Sequence, residues 1–540
     1  MRGRLGLTLG ATLTLLVACE QEPPRGPTAP ICAVTGTADD AVWAQPGVPI
    51  AIDVLDRYEG VESTATVQIV TAPFLGGAVA HGRRIFYTPG AQPGRDLFAY
   101  RVRTAHGPLP SALMRVAIAP TPVEVGPVRI VRQAIVNHFE GRLQYQGEDL
   151  SSADVRSLAP LVHAILGAYG TPPTPLDRAR ALRDWVARTA IHPYSPFHPD
   201  GTDRNLAVLP PGATWADVNA IGAVFEDGER FERAHRWAGF GYDGRASLDL
   251  LLGTLDPVTG ERADDGDMAY LGGAAFQIKD LDTYHWVLCS YQVVQLKALL
   301  AAAGLQGMLL STVGHDPHAV FIPGLGKWVY EDPTYNEEFR LDGAGDPLSP
   351  MELLVYSLAG EMWRLKYHKA VAHPWRADEY PDPALSPYAT YFADDHFAGM
   401  VIMGSQLNNH AIGVADFEPR SVQLAVPALA RLAPYNDQTI YQRVTPPVAF
   451  PDLGVGIAEL TVDGDAARVR LASSFPGHVR FERRVNAGPW TACAAWDRLP
   501  EPPARVTYRS VDDAGRSGMT AVLQIGGADA IERPITAARR

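Results

Sequence analysis

Apolar and polar residues alternate one-for-one along the first and last parts of the chain, and fall into a three-to-four repeat in the middle. From Ala38 to about Pro120 the segments "VPIAIDVLD", "TATVQIV", "RRIFYTPG", "DLFAYRVR" and "ALMRVAIAP" alternate between Gly and Pro breaks. Alternation sends successive side chains to opposite faces, so each segment predicts a short strand with one buried face. Strands at this spacing, with turn residues between them, predict a β-sandwich. Beyond about Pro427 the pattern returns in "IAELTVDGDAARVRLASS", "HVRFERRVNAGPWTACAAW" and "ARVTYRSVDDAGRSGMTAVLQI", which predict a second all-β unit.

Between these regions the period lengthens. In "PLDRARALRDWVARTA" Ala179, Leu182, Trp185, Val186 and Thr189 share one helical face. "ADVRSLAPLVHAILGAYG" also predicts a helix, with Pro160 awkward inside it. After Cys289, residues Val293, Leu296, Leu299 and Leu300 line one face, and Gly304 predicts the helix stop. "HAVFI" and "KWVYE" predict two strands joined by a hairpin-like turn, "IPGLGK". From about 201 to 280 the chain is rich in Gly and Asp, which predicts an irregular insertion. Its "DDGD", Asp264 to Asp267, has the oxygen ligands calcium uses. A solvated turn accounts for it better, so no metal and no cofactor is expected.

At 540 residues the chain has room for three or four units. Its net charge of −13 and the lack of any Lys/Arg run argue against nucleic acid as a partner. The N-terminus, "MRGRLGLTLGATLTLLVAC", places Arg2 and Arg4 before an apolar stretch from Leu5 to Val17. That stretch is shorter than the roughly 20 residues a bilayer span needs, so residues 1–18 read as a signal segment. "LVAC", ending at Cys19, resembles a bacterial lipobox. The resemblance implies cleavage before Cys19, lipidation of that residue, and a cell-envelope lipoprotein whose membrane contact is the anchor alone. The polar, Pro-rich residues 19–37 suit a tether. The expected units are then 38–121, 122–426 and 427–540.

Three cysteines remain: Cys32, Cys289 and Cys493. In an oxidising compartment a Cys32–Cys493 bridge and two unpaired thiols both stay open. Cys289 is the candidate nucleophile. A helix N-terminus favours thiolate over thiol. His318 opens one predicted strand and Asp332 closes the next, so a hairpin brings them together as base and orienting carboxylate. His315 and His285 are rival bases, better explained as loop and packing residues. One oxyanion donor is the Cys289 backbone N–H. The second is open among Gln277, Trp286 and Trp237.

The order Cys289, His318, Asp332, at intervals of 29 and 14 residues, resembles the transglutaminase-like superfamily over about Pro175 to Asn336. "LDRARALRDWV" resembles its leading helix, "CSYQVVQLKALLAAAGLQGMLL" its cysteine helix and following strand, and "HAVF" and "WVYEDPTYN" its His and Asp strands. Val287 departs from the glycine usual two residues before the cysteine. "IDVLD", "FYTPG" and "GRDLFAYRV" resemble cadherin-like domains that lack their acidic calcium motifs. "FERRVNAGPW" with "YRSVDDAGRSG" resembles Ig-like or fibronectin-like modules. The implied fold is multidomain: an α+β papain-like transglutaminase core flanked by two all-β Ig-like sandwiches. The implied activity is acyl transfer or hydrolysis at peptide or isopeptide amides through a thioester. Its substrates would be proteins or peptides, peptidoglycan stem peptides among them. The alternative is a non-catalytic surface binding or scaffold protein with an inactive domain of this type.

Overall fold

The computed structural model describes residues 39–58, 60–136, 143–146, 158–191, 285–286, 289–311, 316–334, 336–368, 401–402, 411–414, 421–424, 441–444, 450–463, 466–475, 477–513 and 515–526. These residues are predominantly β, in several separate sheets, with a small helical layer over one of them.

The first unit holds β1 (Asp39–Ala44), β2 (Ile50–Asp53), β3 (Thr66–Ile69), β4 (Gly76–His81), β5 (Arg84–Pro89), β6 (Gly94–Thr104), β7 (Gly107–Pro108) and β8 (Ala112–Ile118). One sheet runs β1-β8-β6-β3 with β7 on β6, and the other β2-β5-β4. Between them lies a core that includes Ile52, Val67, Ile85, Tyr87, Phe98, Tyr100, Met114 and Val116. All five predicted segments form strands. Tyr87 and Asp96, from two motifs that looked separate in the sequence, meet in this core, the Tyr87 hydroxyl donating to Asp96 Oδ2 at 2.6 Å.

The chain then makes β9 (Glu124–Val125) and β10 (Val128–Arg132), which do not belong with the helices that follow. β10 pairs antiparallel with β29 (Ala521–Ile525), in the last unit. The expected boundary at residue 122 is therefore corrected: Val128 and Ile130 complete the C-terminal core, burying apolar surface on a strand otherwise left at an edge.

The middle unit follows, with β11 (Leu143–Gln146), α1 (Ala159–Ala168), α2 (Pro175–Thr189), β12 (Ala190–Ile191), β13 (His285–Trp286), α3 (Cys289–Ala302), β14 (Gln306–Ser311), β15 (His318–Ile322), β16 (Lys327–Glu331), β17 (Glu338–Leu341), α4 (Pro350–Leu358), β18 (Leu365–His368), β19 (Val401–Ile402), β20 (Ala411–Val414), β21 (Ser421–Leu424) and β22 (Tyr441–Val444). Pro160, expected to disturb a helix, instead begins one. It sits in the first turn of α1, where its missing N–H has no intrahelical partner to lose. α3 stops as predicted, at Gly304 with φ +80°, where the N–H groups of Gly304 and Leu305 bond back to Ala301 and Leu300. The sheet runs β16-β15-β14-β19-β21-β22. The predicted turn closes the β15–β16 hairpin, with Ile322 opposite Lys327 and Gly326 at φ +63°. The expected insertion at 201–280, its Asp264 to Asp267 included, lies outside the described residues.

The last unit contains β23 (Val455–Asp463), β24 (Ala466–Ser473), β25 (His478–Val485), β26 (Thr491–Cys493), β27 (Trp496–Arg498), β28 (Ala504–Asp512) and β29 (Ala521–Ile525). Sheet β23-β24-β27 faces sheet β26-β25-β28-β29-β10-β9 across a shared core.

A further core joins all three units. It includes Leu97, Ala99 and Leu113 from the first, Phe321, Trp328, Tyr330 and Leu353 from the second, and Leu453, Phe475 and Met519 from the third. Around it, arginines from β6 and β8 meet carboxylates from elsewhere: Arg95 with Asp452 at 2.5 Å, Arg101 with Glu361 at 2.7 Å, and Arg115 with Glu352. Glu352 is the busiest. Its carboxylate accepts from the Ser349 N–H at 2.7 Å, closing a capping box at the start of α4, and also meets Lys327 at 3.1 Å.

Burial alone would raise the Glu352 pKa, but Lys327 and Arg115 more than offset it and hold it at about 2. A carboxyl whose folded pKa lies below its unfolded value of 4.5 adds stability above that value. The contribution is lost as pH falls from about 4.5 through about 2. Chemical unfolding of the wild type and Glu352→Gln should therefore converge across that window by on the order of 3 kcal/mol. Parallel pH profiles for the two chains would contradict this account of the seam.

Candidate functional site

The site is built where α2 and α3 lie on one face of the β14-β15-β16 sheet. α3 opens at Cys289, as expected, although the description there extends to the backbone only. Val293, Leu296, Leu299 and Leu300 are buried, but so are Gln292, Gln295, Lys297 and Ala298. This helix is enclosed on all sides, so its apolar stripe understates its burial. α2 is similar. Ala179, Leu182, Trp185 and Val186 pack into the helical core, while Arg180, Arg183 and Asp184 are buried as well.

Those buried arginines form a charge network with the sheet. The Arg180 guanidinium donates to both oxygens of Glu338, at 2.8 and 2.6 Å. Arg183, with 1% of its side chain exposed, pairs with the equally buried Glu331 and donates to Asn336 Oδ1 at 3.2 Å. Asn336 in turn donates to Asp184 at 2.5 Å, and the Tyr169 hydroxyl donates to the same carboxylate. Asn336 adopts a left-handed conformation, φ +57°, which asparagine tolerates better than most residues. Burial and the neighbouring Glu338 push the Glu331 pKa up, against the pull of Arg183 and Arg180.

His318 lies at the start of β15 and is fully buried. Register places it opposite Glu331 on β16 and Leu309 on β14. Its ring leans over Gly307, two residues from Leu309 toward the turn that ends α3. A Cβ on Gly307 would lie 2.5 Å from His318 Nε2 and 3.3 Å from Lys297 Cγ. The ring thus occupies the space a side chain at 307 would fill, on the side of Lys297 of α3. Among the described residues, neither ring nitrogen has a hydrogen-bond partner. Burial, and then the Lys297 charge, hold its pKa well below the ordinary histidine value.

The expected His318–Asp332 hydrogen bond is accordingly absent. Its failure is a matter of register. With His318 opposite Glu331, Asp332 is one residue further along, and a one-residue step sends a side chain to the other face of a strand. Asp332 is on the Tyr330 side. Its Oδ2 takes a 3.4 Å bond from the Tyr330 hydroxyl and its Oδ1 a 2.9 Å bond from the Thr334 N–H. Its backbone N–H and C=O both bond Glu337, closing the 332–337 loop. A side-chain hydrogen bond links α3 to the loop after β16. Thr334 Oγ1 donates to Gln292 Oε1 at 2.6 Å, so the first turn of α3, the start of β15 and the end of β16 converge at one end of the sheet.

Trp286 lies in β13, paired with Ile191, and His285 is its neighbour there. Gln277, Trp237, His315, Cys19 and Cys32 lie outside the described residues. Cys493 is a free thiol, half-buried on β26, and burial followed by the nearby Asp497 pushes it up to about 12. No group of three His, Cys, Asp or Glu side chains gathers as a metal site among the described residues. Sequence reading missed Arg180, Arg183, Glu331 and Glu338. The available signal was the pair of arginines three apart on one face of an amphipathic helix, a spacing that aims both at the same neighbour.

No protein-family model matches the chain, and no curated protein matches it.

Adding a methyl group at residue 307 tests the packing of the imidazole directly. Gly307→Ala should cost about 1–3 kcal/mol, as overfilling a tight core does. The cost should shrink when His318→Ala is present in the same chain. Denaturant unfolding of the two single variants and the double variant measures the coupling, and additive effects would show that the ring lies elsewhere.

Proposed function

We propose that the chain is a cell-envelope lipoprotein, anchored through Cys19, and that it binds protein or peptide partners as a surface scaffold. Its middle unit would be a transglutaminase-like, papain-related α+β domain that has lost the arrangement needed for turnover, set between two Ig-like sandwiches. The observation that carries this reading is the state of His318. A general base must reach the proton it removes, at about 2.6–3.2 Å or through one water. A sealed imidazole packed over Gly307, with both nitrogens unbonded among the described residues, is poorly placed for that. Asp332, tied to its own loop on the opposite face, is poorly placed to orient it. The buried seam among the three units also suits a scaffold, because it holds the sandwiches in fixed positions on either side of the middle domain.

A second reading keeps the cysteine chemistry, and one observation favours it: Cys289 opens α3 at the end of the sheet where β15 begins and β16 finishes. In that reading the Cys289 thiolate attacks an amide carbonyl, the leaving amine takes a proton from His318, and water or an acceptor amine resolves the thioester.

Alkylation separates the two. In the scaffold reading the pH–rate profile of Cys289 modification follows a single thiol ionisation and stays the same in His318→Ala and Asp332→Ala. In the catalytic reading wild-type Cys289 reacts fast near neutral pH and slows in His318→Ala. The second outcome would overturn the scaffold reading.

A further inference from the structure

One sheet face in the last unit differs from the rest of the molecule in charge. In the six-stranded sheet Val506, Tyr508, Leu523, Ile525, Val128 and Ile130 point into the core. Alternation therefore turns Arg505, Arg509, Gln524 and Arg129 outward. Register confirms the row, with Arg505 opposite Gln524 and Gln524 opposite Arg129. Arg132 shares Val522 with Thr507, and Arg509 faces Glu482 on β25, between Arg480 and Arg484. Six arginines thus occupy one face of a chain whose net charge is −13.

Among the described residues, the acidic groups on that face are few. Glu482 accepts from Arg480 at 2.8 Å and from Arg509 at 2.8 and 2.6 Å. Glu124 meets Arg129 at 3.3 Å. Arg132 donates to the Thr520 hydroxyl at 2.5 Å, and Arg484 and Arg509 lie 4.8 and 4.3 Å from the Trp490 ring. The Nε groups of Arg132 and Arg484 are buried with no hydrogen-bond partner. Burial, and then the neighbouring Arg505 charge, push the Arg132 pKa below its ordinary value. Crowding like charges in this way is unfavourable in the isolated chain, and an anion on the face relieves it.

We propose that this face docks on the phosphate headgroups of an anionic lipid bilayer. Guanidinium forks match phosphate oxygens in geometry as well as charge. A broad sheet face suits a planar partner. Val131 and Val479, the extra residues at two strand bulges, are exposed beside the arginines and supply shallow apolar contact. Trp490 is of the residue type enriched at membrane interfaces. The acidic remainder of the chain is repelled by an anionic surface, so the field of the whole molecule turns this face toward it. The choice of a bilayer over a soluble polyanion rests on the anchor reading at Cys19. The tether of roughly 20 residues can extend about 60–70 Å, enough for the face to turn back onto the membrane.

The test is co-sedimentation of the mature chain carrying Cys19→Ala, which has no acyl group, with vesicles of phosphatidylglycerol and phosphatidylcholine or of phosphatidylcholine alone. Binding to the anionic vesicles alone, weakened by salt, is expected. Arg484→Gln/Arg505→Gln should bind at least about tenfold more weakly with an unchanged melting temperature, and Arg484→Lys/Arg505→Lys should retain most of the binding. Failure of the wild-type chain to bind anionic vesicles overturns the proposal, as does equal binding by the Gln variant. Binding to soluble polyphosphate without binding to vesicles overturns it in favour of a soluble polyanion. The assay uses unacylated protein, so it can succeed or fail whatever lipid labelling of Cys19 in cells reveals.

Discussion

Arg183 and Glu331 form a fully buried ion pair between a helix and a strand, and the middle unit is organised around it. Neither charge has water to fall back on. Removing one partner of such a pair typically costs 3–5 kcal/mol, because the other is left uncompensated. The pair fixes how α2 lies over the sheet, and Arg180 with Glu338 repeats the device one helical turn away. It also decides the surroundings of His318. The carboxylate directly across from the imidazole is Glu331, already engaged by an arginine, so the histidine is packed as a neutral ring beside Lys297 and over Gly307. Leaving buried ring nitrogens unbonded costs about 1–3 kcal/mol. The close packing of the helical layer is what offsets it.

The same logic operates between units. The arginines of β6 and β8 would be ordinary surface residues on an isolated sandwich. Here each meets a carboxylate from another part of the chain, beside apolar side chains contributed by all three units. Strand β10 carries this further, since a segment that precedes the helices in sequence completes the C-terminal sheet. Pairs of this kind resist separation of the units at neutral pH, and the lowered pKa values of Glu352 and Glu361 make that resistance sensitive to acid.

Much of the fold could be read from the sequence because its signals are local. Alternation located five strands of the first unit, although β1, β4 and β7 were missed: "GGAVAH" has little β-branched character, and β7 is only the two residues Gly107–Pro108. The α3 stop at Gly304 and the turn closed at Gly326 followed from backbone chemistry that few residues but glycine supply easily. What could not be read was long-range. Nothing near residues 128–132 indicates that their partner lies almost 400 residues on. The candidate site failed at a finer scale. The start of α3 at Cys289 and the hairpin that carries His318 and Glu331 were legible. The pairing register was not, and a difference of one residue puts Glu331 rather than Asp332 on the histidine's face. Arg183, which pairs with Glu331, is a charged residue on an amphipathic helix, and only the packing reveals it as core.

His318 is held as a neutral, sealed imidazole. Nuclear magnetic resonance of the histidine-labelled chain, with His318→Gln to assign the signal, tests it most directly. The His318 ring resonances should stay at their neutral values as pH is lowered through the ordinary histidine range near 6.5 and on toward acid unfolding. A His318 titration at or above that range, lost in Cys289→Ala, would reveal an imidazolium–thiolate pair and contradict the account.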